Sequence, residues 1–453
     1  MHSLKIKTRE IIINKFGGEI MDDPRLVELS VGQIKNQLKK GDKPIVVVSA
    51  LKGVTDELVL VITRLHEKRK ANGIVKLFIA DITKKHLAWI QDCLKGDAKI
   101  SVVMQAAIAQ LEQDLKIVAS FGEIAEVSDK LLSYGERLSS LLFTELLIQH
   151  GIPCRRFTGE EIGIMTDRNF GDANIDYLAS ARNIRARLNK QVKFVPVLTG
   201  FIGKTRSNQT TTLGRGGSDT TACLLGAALS AQKVILWKNV PGVLTADPKI
   251  VSGARTVKAL NYDQAEESGK VIHDKSMALI RQAGTAVEVT YIKDPNLKTV
   301  ISSQGGNVSG ALIISSKNNL RLLTLVGEKI KHYGALAEIT AVITQNKINM
   351  ALIRNTRDTL YIVIEKNGHG TLKCEAEIKS LNYQLKAQDV SMVNVIGDLS
   401  WTLVERFNHL LAKTCQGVVL GAFPYQECVR LEAIVAPEQV NELVRKFHRE
   451  FIG

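Results

Sequence analysis

Between residues 11 and 292, short apolar runs alternate with longer amphipathic stretches. The runs IIINKF (11–16), PIVVVSA (44–50), KFVPVLTGF (193–201), KVILWKNV (233–240) and AVEVTYI (286–292) are short and strand-like, and they read as buried strands. DKLLSYGERLSSLLFTELLIQHG, from Asp129 to Gly151, reads as one helix, with leucines on a stripe, an acidic start at Asp129 and Gly151 as its stop. A further helix is expected to begin at Asp23, with Pro24 in its first position. Strands alternating with helices predict an α/β fold around a largely parallel sheet.

The turn-rich segment from Asp294 to Gly310 marks a boundary, and beyond it the pattern repeats. A unit beginning at Leu322 and another beginning at Met392 each read strand, turn, amphipathic helix, strand, then a further strand and a second helix. Their glycine steps are Gly327 and Gly397. Two small βαββαβ modules fit this pattern. The expected organisation is an N-terminal arm at 1–10, a large α/β domain at 11–305, one small module at 306–390 sharing a preceding strand with its neighbour, and a second at 391–453.

Composition narrows the class. The 453 residues are 45% hydrophobic, with a mean hydropathy of +0.02, and no apolar run approaches bilayer-spanning length. The basic start MHSLKIKTRE has no apolar segment behind it, which argues against a secretory signal. Six cysteines without a CxxC pair fit reduced thiols in a cytoplasmic protein. Nine scattered histidines give no zinc pattern, and no metal-binding side chains are expected. The net charge of +14 is spread along the chain without a nucleic-acid-binding motif, so it reads as a surface that attracts anionic small molecules.

The candidate chemistry lies just past strand ends, where open parallel sheets bind ligands. TLGRGGSDTTA (212–222) follows FVPVLTGF; its glycines let backbone N–H groups approach an anion, and Arg215 can grip a carboxylate with a two-pronged fork. NKFGG (14–18) places a lysine before two glycines, an arrangement suited to phosphates. SALKGVT (49–55), SYGERLSS (133–140) and NVPGVLTADPKIV (239–251) are further candidates. A phosphate loop of the GxxxxGK[ST] type is absent. Each stretch alone is equally compatible with an ordinary turn or a solvated helix face; the set, in this order, is not.

That order resembles the aspartokinases of the amino acid kinase superfamily, and the resemblance runs almost end to end. KFGG, SALKGVT, SYGERLSS, MTDRNFGDANID (165–176), TTTLGRGGSDTTA (210–222), VPGVLTADPKIV (240–251) and GKVIH (269–273) resemble successive family motifs, and the C-terminal repeat resembles tandem ACT domains. The closest type is the monofunctional, lysine-sensitive one. The resemblance implies a three-layer α/β kinase domain with ferredoxin-like ACT modules, and transfer of phosphate from ATP, with Mg2+, to the side chain of L-aspartate. It also implies a homodimer or larger assembly through the ACT modules, and no nucleic-acid or membrane partner. Carried over, Lys15, Asp219 and Lys270 are the catalytic set, with Asp219 holding the two lysines. Thr55, Glu136, Phe170, Thr212, Arg215 and Ser218 form the aspartate pocket, Arg215 taking the α-carboxylate and Glu136 the ammonium. Lys15, Gly17, Gly18, Ser49, Gly216, Gly217, Lys238, Asn239, Leu244, Lys249 and Lys270 face the nucleotide.

The chain departs from the family pattern at specific places. Glu19 and Ile20 stand where the pattern has Thr-Ser; a glutamate aimed at phosphates would repel them, so Glu19 is expected to turn outward. In the nucleotide loop Lys238 and Asn239 replace Thr-Asp, Leu244 a tyrosine and Lys249 an arginine, losing planar stacking and a bidentate grip. The helix before Lys270 is about three residues short. In the first ACT module Ala351 and Arg357 replace acidic residues, which removes a partner for an ammonium effector. Beside an active aspartokinase stand two alternatives: an amino acid kinase of altered substrate or nucleotide, and a catalytically weak regulatory subunit.

Overall fold

The computed structural model describes residues 10–66, 71–121, 125–188, 193–268, 272–306, 310–332, 334–414 and 429–453. The chain forms two compact units, Met1–Val243 with Thr256–Gly305, and Leu244–Arg255 with Gly306–Gly453. The expected 11–305 domain is therefore interrupted: Leu244–Arg255 packs with the second unit.

In the first unit the strands are β1 (Ile11–Phe16), β2 (Lys43–Val48), β3 (Cys154–Phe157), β4 (Val195–Thr199), a hairpin of β5 (Ile202–Lys204) and β6 (Thr210–Thr212), then β7 (Lys233–Lys238), β8 (Ala259–Leu260), β9 (Ala286–Tyr291) and β10 (Lys298–Ile301). Eight of them make one sheet in the order β3-β4-β2-β1-β7-β9-β10-β8. Pairing is parallel except between β9 and β10. The α/β expectation holds, and its chemistry follows from the two-residue period of β1. Ile12, Asn14 and Phe16 face one side, where Phe16 packs 5.4 Å from Phe143 and 6.2 Å from Trp237. Asn14 is buried there without penalty, because it exchanges amide hydrogen bonds of 2.8 Å with Gln37 and accepts one of 3.0 Å from Trp237 Nε1. Lys15 points to the other side, toward the helix Gly217–Leu229.

The single helix expected over 129–151 is two, Ala125–Leu132 and Tyr134–Gln149, meeting at Ser133. Asp129 is therefore not a helix start. It lies inside the first helix, 1% exposed, and its carboxylate serves loops that only the tertiary fold brings to it.

The second unit has one antiparallel sheet ordered β12-β13-β11-β14-β15. Its strands are β11 (Gly310–Val326), β12 (Met350–Asn355), β13 (Thr359–Glu365), β14 (Gln384–Asp398) and β15 (Arg430–Val435). The two long strands β11 and β14 pair along their length, with a register shift between Lys317 and Leu320. The far half of β11 and the near half of β14 complete a βαββαβ module with β12, β13 and the helices Ala335–Gln345 and His369–Ser380. The remaining halves join β15 and the helices Trp401–Thr414 and Val440–Phe451. Repeat and shared strand thus form one continuous sheet, over which Ala246 of the inserted segment packs into the core with Phe407 and Phe447.

Candidate active site

Two strand ends and one helix start carry the charged centre. Lys15, at the end of β1 and 6% exposed, places Nζ 2.6 Å from Asp219 Oδ1. Asp219 lies in the first turn of Gly217–Leu229, where the helix dipole favours an anion. That helix starts at Gly216, with φ +73°, a backbone conformation that favours glycine. On the other side of the carboxylate, Lys238 Nζ, at the end of β7, lies 3.3 Å from Oδ2. Burial opposes ionisation of Asp219, but the Lys15 and Lys238 charges overcome it and hold the carboxyl at about 2. Burial holds Lys15 below the usual lysine range, against the pull of Asp219. The expected partners of Asp219 were Lys15 and Lys270. Lys270 lies outside the described residues, and the second ammonium at Asp219 is that of Lys238.

A helix from the opposite face meets this centre over the strand ends. Glu136, in the first turn of Tyr134–Gln149, is 4% exposed and receives a 3.5 Å hydrogen bond from Ser218 Oγ. Its Oε2 is buried with no hydrogen-bond partner among the described residues. Burial pushes the carboxyl up to about 7. The same helix seats the turn after β2. Ser139 Oγ donates to Ser49 O at 2.6 Å, and a Cβ on Gly135 would stand 2.7 Å from Ala50 Cβ and 3.7 Å from Thr55 Oγ1. Gly18 approaches that turn equally closely: a Cβ there would meet Ala50 O at 2.9 Å. Lys15, Gly17, Gly18, Ser49, Thr55, Glu136, Gly216, Gly217, Ser218, Asp219 and Lys238 thus sit on neighbouring strand ends, the turns that follow them and the starts of four helices, Gly18–Asp22, Val54–His66, Tyr134–Gln149 and Gly217–Leu229.

The segment 165–176 is fixed by Asp129, which sequence reasoning missed as a functional position. Its carboxylate accepts from Gly171 N at 3.0 Å, Thr212 N at 2.7 Å and Thr212 Oγ1 at 2.9 Å. Burial raises its pKa despite these bonds. The hydroxyl of Thr212, expected in the aspartate pocket, is spent on this carboxylate. Lys275 reinforces the segment through Asp172, 2.5 Å away. Phe170 is half-buried beside Gly171, and Arg215 is exposed between Gly214 and Gly216, both with φ +73°.

Two expected nucleotide residues are not in the first unit. Leu244 and Lys249 fall in Leu244–Arg255, which bonds within the second unit through Thr245 O to Ile314 N at 2.8 Å and Thr245 Oγ1 to His448 Nε2 at 2.9 Å. Asn239 follows Lys238 in the first unit and is half-buried, its Oδ1 without a hydrogen-bond partner among the described residues. Glu19 turns outward as expected and pairs with exposed Lys52 at 3.2 Å. Among the described residues no three His, Cys, Asp or Glu side chains cluster to hold a metal, and no helix is long and apolar enough to cross a membrane.

Residues 10–291 match the amino acid kinase family. Over 99% of its length, the chain is 31% identical to the chloroplastic aspartokinase 3 of Arabidopsis thaliana, covering 82% of that protein. The chain belongs to the aspartokinases of the amino acid kinase family. It is also 28% identical to the lysine-sensitive aspartokinase 3 of Escherichia coli K12, over 97% of this chain and 98% of that one. Among solved structures, E. coli aspartokinase III in complex with lysine and aspartate superposes with a TM-score of 0.80 at 25% identity, covering 98% of this chain and 100% of that one. The same enzyme in complex with aspartate and ADP gives 0.83 at 24% identity, with the same coverage, a likeness of fold. The aspartokinase family therefore accounts for the eight-stranded sheet and for the antiparallel sheet that follows it.

Proposed function

We propose that the chain transfers the γ-phosphoryl group of ATP to the side-chain carboxylate of L-aspartate, giving 4-phospho-L-aspartate, the first step toward lysine, threonine and methionine. The observation that carries this reading is one buried carboxylate, Asp219, held between two ammonium groups at strand ends, with the unpartnered oxygen of Glu136 on the helix above. Lys15 and Lys238 present two ammonium groups to phosphate, and Glu136 offers a buried anion to an amino group. Relatives are named for aspartate, and the solved E. coli enzyme holds aspartate with ADP or lysine.

The attacking carboxylate of aspartate is already ionised, so no general base is needed. The obstacle is bringing two anions together, and positioning with charge neutralisation removes it. In this reading Arg215 grips the α-carboxylate and Glu136 takes the ammonium. Thr55, Phe170 and Ser218 close the pocket, and Thr212 orders it through Asp129. Lys15 neutralises the phosphates. Gly17, Gly18, Gly216 and Gly217 let backbone N–H groups approach them, and Asn239 lies at the nucleotide end. Among the described residues no three His, Cys, Asp or Glu side chains cluster to hold a bare Mg2+; bound with the nucleotide, the ion would supply screening of the phosphate charge.

The regulatory reading concerns the second unit. Ala351 and Arg357, on and beside the edge strand β12, give no carboxylate to an effector ammonium, so lysine inhibits weakly or not at all. Micromolar lysine binding by calorimetry would refute this.

Trapping the acyl phosphate with hydroxylamine tests the activity. Hydroxamate should form with ATP and aspartate, not with glutamate or N-acetylglutamate, and should be lost in Lys15→Ala and Arg215→Ala. Product with another acceptor alone, or none from folded protein, would overturn the reading.

A further inference from the structure

We infer that Lys238 is a catalytic residue of this enzyme, a second ammonium that contacts the phosphoryl group in flight. The inference rests on the aspartate kinase reading and adds to it a role beyond nucleotide anchoring.

The placement follows from strand geometry. β1 and β7 are parallel neighbours, with Lys15 in register with Leu236. In-register residues of parallel strands share a face, and so do residues two apart. Ile235 and Trp237 accordingly belong to the core on one side, while Leu236 and Lys238 share the face of Lys15. Lys238 stands one two-residue step beyond Lys15, at the C-terminal edge where an open parallel sheet takes its ligand. Asp219 comes down on that face from the helix start and gives one oxygen to each lysine.

Neutralising Asp219 does not need both cations. Lys15 already makes the shorter contact, 2.6 Å against 3.3 Å, and its side chain is only 8% exposed. Lys238 is 31% exposed, so its stem is sheltered while its head reaches solvent. Two ammonium groups on one carboxylate repel each other, and the Lys238 charge is among the causes that lower Lys15's pKa. Lys238 therefore adds an ammonium that Asp219 alone does not need, with its head open to an arriving anion.

In the transfer, a carboxylate oxygen of aspartate forms a bond to the γ-phosphorus as the bond from that phosphorus to the β–γ bridging oxygen breaks. ADP leaves with the electron pair, and no proton moves. Charge spreads over the oxygens of the transferring group. Lys15 and Lys238, both fixed by Asp219, supply N–H donors to it from adjacent strands without rearranging.

The test compares the wild type with Lys238→Gln, Lys238→Thr and Lys238→Arg in two assays. One measures kcat and the aspartate KM by hydroxamate formation; the other measures ATP and ADP affinity by calorimetry. Expected for Gln and Thr is a fall in kcat of about 100-fold, with the aspartate KM within about three-fold and ATP weakened more than ADP. Arginine, which keeps the charge, should restore part of kcat. A kcat within about three-fold of wild type, or equal weakening of ATP and ADP with kcat intact, would overturn the inference. Wild type that makes no hydroxamate would sink the aspartate reading separately. Preference for ATP over ADP in binding would still judge Lys238.

Discussion

Replacing Glu136 with glutamine should make the protein more stable in alkali while removing its grip on aspartate. Burial raises the folded carboxyl from an ordinary 4.5 to about 7, so between those values the native state binds the proton and the unfolded state does not. Stability then falls as pH rises through that window, because ν_U − ν_N is negative there. Each pH unit corresponds to about 1.4 kcal/mol, so ionising Glu136 costs about 3 kcal/mol above pH 7, an upper value that relaxation reduces. Glutamine keeps the shape without the charge. At pH 5 the variant and wild type should melt together; at pH 8 the variant should melt about 2–6 °C higher. Aspartate should raise the wild-type melting temperature at pH 8, because its ammonium offsets the buried charge, and leave Glu136→Gln unmoved. Thermal unfolding across pH 5 to 8, with and without aspartate, measures all of this. A variant less stable at pH 8, or a difference constant with pH, would refute a costly buried carboxylate awaiting a cation.

Other outcomes follow from the same geometry. The aspartate KM should rise about ten-fold per pH unit below 7, as Glu136 takes up its proton, with kcat changing less; a pH-independent KM counts against Glu136 as the ammonium site. Asp129→Asn turns an acceptor of two backbone N–H groups partly into a donor, so it should raise the aspartate KM about ten-fold or more, leave kcat nearly intact, and speed hydrogen exchange in 165–176. Glu19→Ala should leave kcat and the ATP KM within about two-fold, since its partner is exposed Lys52 and such pairs contribute at most about 1 kcal/mol. Gly135→Ala forces a Cβ to 2.7 Å from Ala50 and should disturb the aspartate KM through Thr55, with little change in ATP affinity by calorimetry.

What could be read from the sequence was local. The runs that became β1, β2, β4, β7 and β9 carry their signal in consecutive residues, and KFGG and GRGGSD are glycine-dependent turns whose geometry is set within a few positions. Local signal ends where a residue's partner is remote in sequence. Asp129 looked like a helix start because an acidic residue before a leucine stripe usually is one; its partners are 42 and 83 residues away. Lys238 meets Asp219 only because β7 inserts beside β1. Leu244 and Lys249 follow a kinase strand directly, yet Ala246 and its neighbours bury their apolar side chains in the second unit's core. The repeat was visible as periodicity, whereas the pairing of β11 with β14 into one sheet depends on strands roughly 70 residues apart and has no local signature.

The most direct measurement identifies the carboxyl group that receives the phosphate. The product of ATP and L-aspartate is reduced with borohydride as it forms, and the amino alcohol is identified. The account predicts homoserine, from phosphate on the side-chain carboxylate, lost in Lys15→Ala. Recovery of 3-amino-4-hydroxybutanoate, from the α-carboxylate, would contradict the assignment of Arg215 to that group, and recovery of neither would contradict aspartate phosphorylation itself.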